Sequence, residues 1–91
     1  MKVIVKEPGE YPGHYEEIPN TLAALQKIVK GYIEAVTIRP GVVVICDEEG
    51  LMKGKDYNCM SFVGTIVVVG VNGADMVDVP LTLPEWEAII K

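Results

Sequence analysis

Residues 20–50, NTLAALQKIVKGYIEAVTIRPGVVVICDEEG, decide the fold of this chain of 91 residues. In their first part, apolar residues recur at the spacing of one helix face. We therefore predict a helix over about residues 21–30. Asn20 is suited to be its N-cap, and Gly31 is suited to a left-handed conformation just after its end.

The second part of the same stretch predicts two strands joined by a turn. Residues 32–38 alternate between two faces, and Arg39-Pro40-Gly41 follows as a turn. Residues 42–46 are apolar on both faces, which is typical of a central strand. The acidic segment Asp47-Glu48-Glu49-Gly50 ends this strand, and we expect it to be a solvated turn.

The N-terminal part of the chain adds two predicted strands. Residues 1–6 have an apolar centre, and residues 14–18 are largely polar, as expected of an edge strand. Towards the C-terminus, residues 64–71 and 74–79 predict two strands of a hairpin. Asn72-Gly73 lies between them and is the typical sequence of a type I′ turn.

A second helix is predicted over about residues 83–90. Thr82 and Glu85 have the spacing of a capping box, and Leu81 and Trp86 occupy the positions of a hydrophobic staple. Together these elements predict one α+β domain over residues 1–91, with a mostly antiparallel sheet of five or six strands and two helices.

Composition and charge exclude several classes of function. Thirteen acidic residues against eight basic ones give a net charge of −5, which argues against binding to nucleic acid. No apolar segment reaches the roughly 20 residues of a membrane span, so we expect no membrane partner. Without a secretory signal, we expect a cytoplasmic protein with reduced cysteines. The apolar fraction of 49% leaves self-association into a homo-oligomer as an option.

The loop over residues 53–61 is the candidate binding site. Lys53 and Lys55 supply positive charge, and Tyr57 and Asn58 supply directed hydrogen bonds, in an otherwise acidic protein. This combination suits a small anionic ligand or an acidic segment of a partner protein. The alternative is an ordinary mobile loop, since loops are generally polar.

The residues that often carry catalysis lack partners in the sequence. His14 has only Glu16 beside it, and we interpret it as a surface histidine without a catalytic or metal-binding role. Cys46 belongs to an apolar strand and is expected in the core, whereas Cys59 is expected to be the more accessible thiol because it lies in a loop. We predict no catalytic residue, no metal site and no cofactor.

The chain resembles an uncharacterised bacterial and phage family, the domain of unknown function 3846. The resemblance rests on the order and spacing of several short motifs across nearly the whole chain. These motifs are Glu7-Pro8-Gly9, Leu22-Ala23-Ala24-Leu25-Gln26, Gly31-Tyr32-Ile33-Glu34, Asp47-Glu48-Glu49-Gly50, Gly64-Thr65 and Val67-Val68-Val69-Gly70. It implies a small protein of a bacterium or of its mobile elements, and it implies no activity.

Three functions of different classes agree with these observations. The first, which we favour, is a non-catalytic binding or interaction module that contacts itself or another protein. The second is a protein that sequesters a small anionic ligand through the loop that contains Lys53 and Lys55. The third is a small enzyme whose site is completed at a subunit interface.

Overall fold

The structure is a computed structural model that describes residues 1–91. All of its strands belong to one antiparallel sheet. The sheet has the order β2-β1-β5-β4-β3, and β6 pairs with the part of β5 that β1 leaves free. The predicted antiparallel sheet of five or six strands is thereby confirmed, with β2 at an edge and β4 inside, as expected. The strands are β1 (Lys2–Lys6), β2 (His14–Glu17), β3 (Ile33–Arg39), β4 (Val42–Asp47), β5 (Ile66–Asn72) and β6 (Asp75–Val77).

One helix covers each face of this sheet. Helix α1 (Leu22–Val29) packs on the face that we call the α1 face, and helix α2 (Leu83–Ile90) packs on the opposite α2 face. Because side chains alternate along a strand, β4 and β5 contribute apolar residues to both cores. The α1 face buries Val3, Val5, Val43, Ile45, Val67 and Val69, and the α2 face buries Ile4, Val42, Val44, Ile66, Val68 and Trp86. Neither helix has the length or the apolar composition to cross a membrane.

The ends of α1 differ from the prediction by one residue each. Thr21, and not Asn20, is the N-cap, and its side chain accepts a hydrogen bond from the Ala24 N–H at 3.2 Å. At the other end, Lys30 adopts the left-handed conformation (φ 61°) that we predicted for Gly31. The capping box of α2 is present as predicted, between Thr82 and Glu85.

The hairpin between β5 and β6 also differs from the prediction by one residue. Asn72 pairs with Asp75, so the two central turn residues are Gly73 and Ala74. Only Gly73 has a positive φ, of 65°, whereas a type I′ turn needs a positive φ at both central residues. A positive φ at the first central residue alone is the pattern of a type II′ turn, which also suits the right-handed twist of a hairpin.

Candidate functional site

A buried carboxylate at the end of β4 organises the region where we predicted a site. The side chain of Asp47 is only 1% exposed, and its Oδ2 accepts from Lys53 Nζ at 2.8 Å and from Lys55 Nζ at 2.7 Å. Its Oδ1 accepts from the Glu49 N–H at 2.9 Å. The prediction of a solvated acidic turn is therefore wrong for Asp47, which is desolvated and paired.

The charge state of Asp47 follows from these contacts. Burial by itself raises the pKa of the carboxyl, but the hydrogen bonds from Lys53, Lys55 and the Glu49 N–H outweigh it and hold the pKa well below its usual range. The carboxylate is thus ionised at any physiological pH, and it stabilises the two ammonium groups that it contacts.

The end of α1 completes this cluster. Lys55 Nζ also donates to the Val29 carbonyl at 2.7 Å, and Lys53 Nζ donates to the Lys30 carbonyl at 3.3 Å. The two lysines therefore satisfy carbonyls that a helix leaves without partners at its C-terminus. A Cβ on Gly31 would lie 2.5 Å from Asp47 Cγ, so this glycine is needed for space and not for a left-handed φ.

The four predicted binding residues do not all converge on one position. Lys53 and Lys55 come together on Asp47, whereas Asn58 is buried elsewhere and Tyr57 projects outward with 65% of its surface exposed. Asn58 Nδ2 donates to the carbonyls of Lys6 and Gly64, and its Oδ1 accepts from Lys6 Nζ at 2.8 Å. Nothing in these contacts tests ligand binding, which stays a prediction for the four residues.

A cleft of about 380 Å³ borders the paired lysines. Side chains of Lys30, Lys53 and Lys55 line it together with Asp56, and Asp47 lies behind the last two lysines. Lys53 and Lys55 keep 39% and 20% of their side chains exposed, and the two ammonium groups share the single carboxylate of Asp47. Three lysines against two aspartates leave this cleft with a positive balance in an acidic protein.

His14 is held between two carboxylates at the β2 edge. Its Nδ1 lies 2.6 Å from Glu10 Oε2, and its Nε2 lies 2.7 Å from Glu16 Oε2. The hydrogen bonds to Glu10 and Glu16 raise the pKa of His14. The histidine therefore joins the loop before β2 to the strand itself, and its hydrogen-bond partners are the two carboxylates.

The two cysteines are free thiols and both are buried. The core position of Cys46 is confirmed, but the expected accessibility of Cys59 is wrong, because Cys59 packs into the core of the α2 face. Burial raises the pKa of both thiols. Cys59 and His14 also lie on opposite faces of the sheet, since His14 pairs with Val5, whose side chain is on the α1 face. No three His, Cys, Asp or Glu side chains are grouped closely enough to hold a metal ion.

The β3 edge is an open surface of the sheet. The Glu48 N–H donates to the Tyr32 carbonyl at 3.0 Å, so residues 32, 34 and 36 face β4 and the backbone groups of Ile33, Ala35 and Thr37 point outward. No side chain of β3 hydrogen-bonds or forms an ion pair within the chain. Leu51, which is 80% exposed, lies beside this edge and shares a cleft of about 220 Å³ with Glu34 and Val36.

Sequence reasoning missed several residues of these sites: Lys6, Glu10 and Lys30, whose partners are set by the fold, and Asp47 and Gly31. Asp47 follows five apolar strand residues directly, and a charged residue in that position is a signal for a buried, paired carboxylate. Gly31 has no such signal, because a glycine required for space looks the same in sequence as a glycine required for a positive φ.

Comparison with known proteins gives one match. Residues 1–87 match the model of the family described as "Domain of unknown function (DUF3846)". Neither the curated proteins nor the solved structures contain a match to the chain.

Proposed function

The chain belongs to the DUF3846 family, and we propose that it acts as a non-catalytic interaction module whose contact surface is the β3 edge. The observation that carries this proposal is the row of outward backbone groups on Ile33, Ala35 and Thr37. Such groups are a template for another extended segment, which adds to the sheet as a further strand.

The composition of β3 supports this use of its edge. Protected edges are short, carry a proline or charged side chains, are twisted away by a β-bulge, or lie under a loop. The register of β3 shifts between Thr37 and Arg39, so its bulge lies past the outward groups of Ile33, Ala35 and Thr37. Over its seven residues β3 has only Glu34 and Arg39 as charged residues, one near each end. The central Ala35, Val36 and Thr37 are neutral, and none of them is covered by a loop hydrogen bond.

Ala35→Pro tests this proposal at a single position. Proline removes the outward N–H, and the substitution should spare the β3–β4 ladder because that N–H faces away from β4. Ala35→Thr is the matched control, since threonine keeps the N–H and favours a strand. We expect extended peptides selected from a random library to bind the wild type and Ala35→Thr but not Ala35→Pro. Selected peptides that bind Ala35→Pro equally well would contradict the proposal.

A second candidate function is the sequestration of a small anionic ligand at the cleft beside Lys30, Lys53 and Lys55. Its support is the positive balance of this cleft and the exposed parts of the lysine side chains. Tyr57 remains part of this proposal as an exposed hydrogen-bond donor. Asn58 remains part of it as the residue that holds the loop, because its amide N–H groups already donate to the carbonyls of Lys6 and Gly64.

Calorimetry with a panel of nucleotides, cyclic dinucleotides and sugar phosphates tests this second function. We expect Lys30→Ala to lose the binding of any ligand that binds the wild type. The Lys30 side chain makes no hydrogen bond within the chain, so this variant should keep its fold. Lys27→Ala, on the same helix but outside this cleft, is the control. If no anion binds the wild type, or binding survives in Lys30→Ala, this function fails.

We also propose that the protein acts in the cytoplasm of a bacterium or of a bacterium infected by its phage. The two unpaired cysteines support a reducing compartment, where disulfides are rare. The sequence motifs that resemble the family support the bacterial or phage origin, and they imply no biological process.

A further inference from the structure

We infer that the segment that docks on the β3 edge is β3 of a second copy of this chain. The two strands would run antiparallel about a two-fold axis that passes through Val36. This inference rests on the proposed function, because it assumes that the β3 edge is a pairing surface, and it adds the partner and the register.

Four side chains of β3 stand on the same face of the sheet, those of Glu34, Val36, Ile38 and Arg39, and Ile38 packs against the core of this face. Glu34 pairs with Cys46, Val36 with Val44 and Arg39 with Val42, and all three partners belong to the core of the α2 face. Glu34 and Arg39 share a face only because the register shifts between Thr37 and Arg39, where one extra residue is inserted. With this bulge, Val36 lies midway between Glu34 and Arg39.

The backbone of β3 agrees with the same axis. With the axis at Val36, Ala35 of one copy lies opposite Thr37 of the other, and both residues have outward N–H and C=O groups. Each Ala35–Thr37 pair can then exchange two hydrogen bonds, as opposite residues do in an antiparallel ladder. The two Val36 side chains meet in a closely spaced pair on the α2 face.

Charge selects this register over its neighbour. An axis at Val36 places Glu34 of each copy opposite the bulge of the other, where Ile38 and Arg39 lie side by side on the same face, so that Glu34 and Arg39 can form two complementary pairs. An axis at Ala35 places Glu34 opposite Val36 and leaves Arg39 beyond the pairing. Both side chains are exposed and lack an ion-pair partner within the chain, so they are available.

Apolar surface beside β3 supports the same partner. Leu51 is 80% exposed and lines the cleft that also contains Val36, on the face where the two valines meet. A second copy across the axis would cover both Leu51 side chains, one from each subunit. The β2 edge is shorter, with four residues, and a β2–β2 pair centred on Glu16 or Glu17 would bring like charges together.

Charge reversal tests the register directly by sedimentation equilibrium. We expect the wild type to dimerise, and we expect Glu34→Arg and Arg39→Glu alone each to weaken dimerisation at least about 10-fold, since each places two like pairs in the interface. An equimolar mixture of these two variants should dimerise, because every cross-strand pair in the mixed dimer is complementary. The double variant Glu34→Arg/Arg39→Glu should recover the wild-type constant. Glu17→Arg, on the β2 edge, is the control and should leave dimerisation unchanged.

Two results would overturn the inference. One is a wild type that stays monomeric up to about 1 mM, a concentration at which even a weak contact of about −4 kcal/mol is visible. The other is a dimer whose constant does not respond to either charge reversal while circular dichroism shows both variants folded. In the first case, binding of selected peptides that Ala35→Pro abolishes would leave the proposed function standing with another partner. If the wild type stays monomeric and no selected peptide binds to it, the proposed function fails as well.

Discussion

The two long edges of the sheet differ in how they meet solvent. The β2 edge has four residues and is fixed to the rest of the chain by its side chains: the Tyr15 hydroxyl donates to the Leu81 carbonyl at 3.0 Å, and Lys2 Nζ lies 4.1 Å from the centre of the Tyr15 ring. The β3 edge has seven residues and no such contact. Natural sheets protect edges that must not pair. The contrast in length and in side-chain contacts therefore favours β3 over β2 as the pairing edge.

Removal of Asp47 should have the largest effect, and it acts on the β3 side of the molecule. Asp47 pairs with Ile33 at the start of β3 and holds Lys53 and Lys55 against α1. We expect Asp47→Ala to lower the free energy of unfolding by about 2–3 kcal/mol, below the 3–5 kcal/mol of a fully buried pair because both lysines reach solvent.

Urea unfolding followed by circular dichroism measures this effect. Asp56→Ala is the control, because Asp56 is exposed and its carboxylate makes no hydrogen bond or ion pair. A stability equal to that of the wild type in Asp47→Ala would show that the cluster contributes nothing to the fold, which would free the lysines for a ligand.

Gly73→Val separates stability from edge pairing. Gly73 has a φ of 65° and no atom within 4 Å of an added Cβ, so the backbone conformation alone opposes valine. We expect a loss of about 1–2 kcal/mol in the free energy of unfolding. Since the turn lies outside β2 and β3, the dimer constant should not change below the melting transition. A weaker dimer in this folded variant would mean that pairing depends on general stability and not on the β3 edge.

Acid should destabilise the β3 side through Asp47. The pKa of Asp47 is depressed in the folded state, so its contribution is present above the unfolded pKa of about 4 and is lost as the pH falls below it. By pH 3 we expect a loss of about 1 kcal/mol relative to pH 7 that Asp47→Asn does not show. Urea midpoints of the wild type and of Asp47→Asn at pH 7, 4 and 3 measure the difference. If both midpoints fall equally with pH, Asp47 is not the cause of the loss of stability in acid.

Titration of His14 should have the smallest effect, on the β2 side. The pKa of His14 is raised in the folded state by Glu10 and Glu16, so its contribution is complete below the unfolded pKa of about 6.5 and is lost as the pH rises through the higher folded pKa. Because these groups are partly exposed, we expect only a few tenths of a kcal/mol. A nuclear magnetic resonance titration should give His14 a pKa above 6.5 that returns towards this value in Glu10→Gln. A His14 pKa of about 6.5 in the wild type would show that the hydrogen bonds to Glu10 and Glu16 are absent in solution.

Local sequence signals predicted most of the fold. The double-sided apolar run at residues 42–46 located the central strand, and Thr82 with Glu85 located the start of α2 to the residue. Errors occurred where neighbouring residues compete for the same position. Asn20 and Thr21 are both good N-caps, and in the structure Thr21 caps the helix while the Asn20 side chain donates to the Met76 carbonyl, 56 residues away.

The candidate site was harder to predict because its contacts are long-range. Lys53 and Lys55 were identified as charged loop residues, but their pairing with Asp47 and the α1 carbonyls depends on how the loop crosses α1 and β4. Asn58 has a polar side chain that is typical of a loop, yet it is buried because Lys6 and Gly64 satisfy its hydrogen bonds. The openness of β3 likewise appears only once the strand order is known.

Amide hydrogen exchange at two protein concentrations tests the central claim, that β3 and not β2 is the pairing edge. In β3, the Ala35 and Thr37 amides point outward, whereas the Val36 amide faces β4 and serves as the internal reference. We predict that Ala35 and Thr37 exchange fast at a few micromolar and become protected near about 1 mM, while Val36 and the β2 amides do not change. Protection that appears on β2, or on neither edge, would contradict the account.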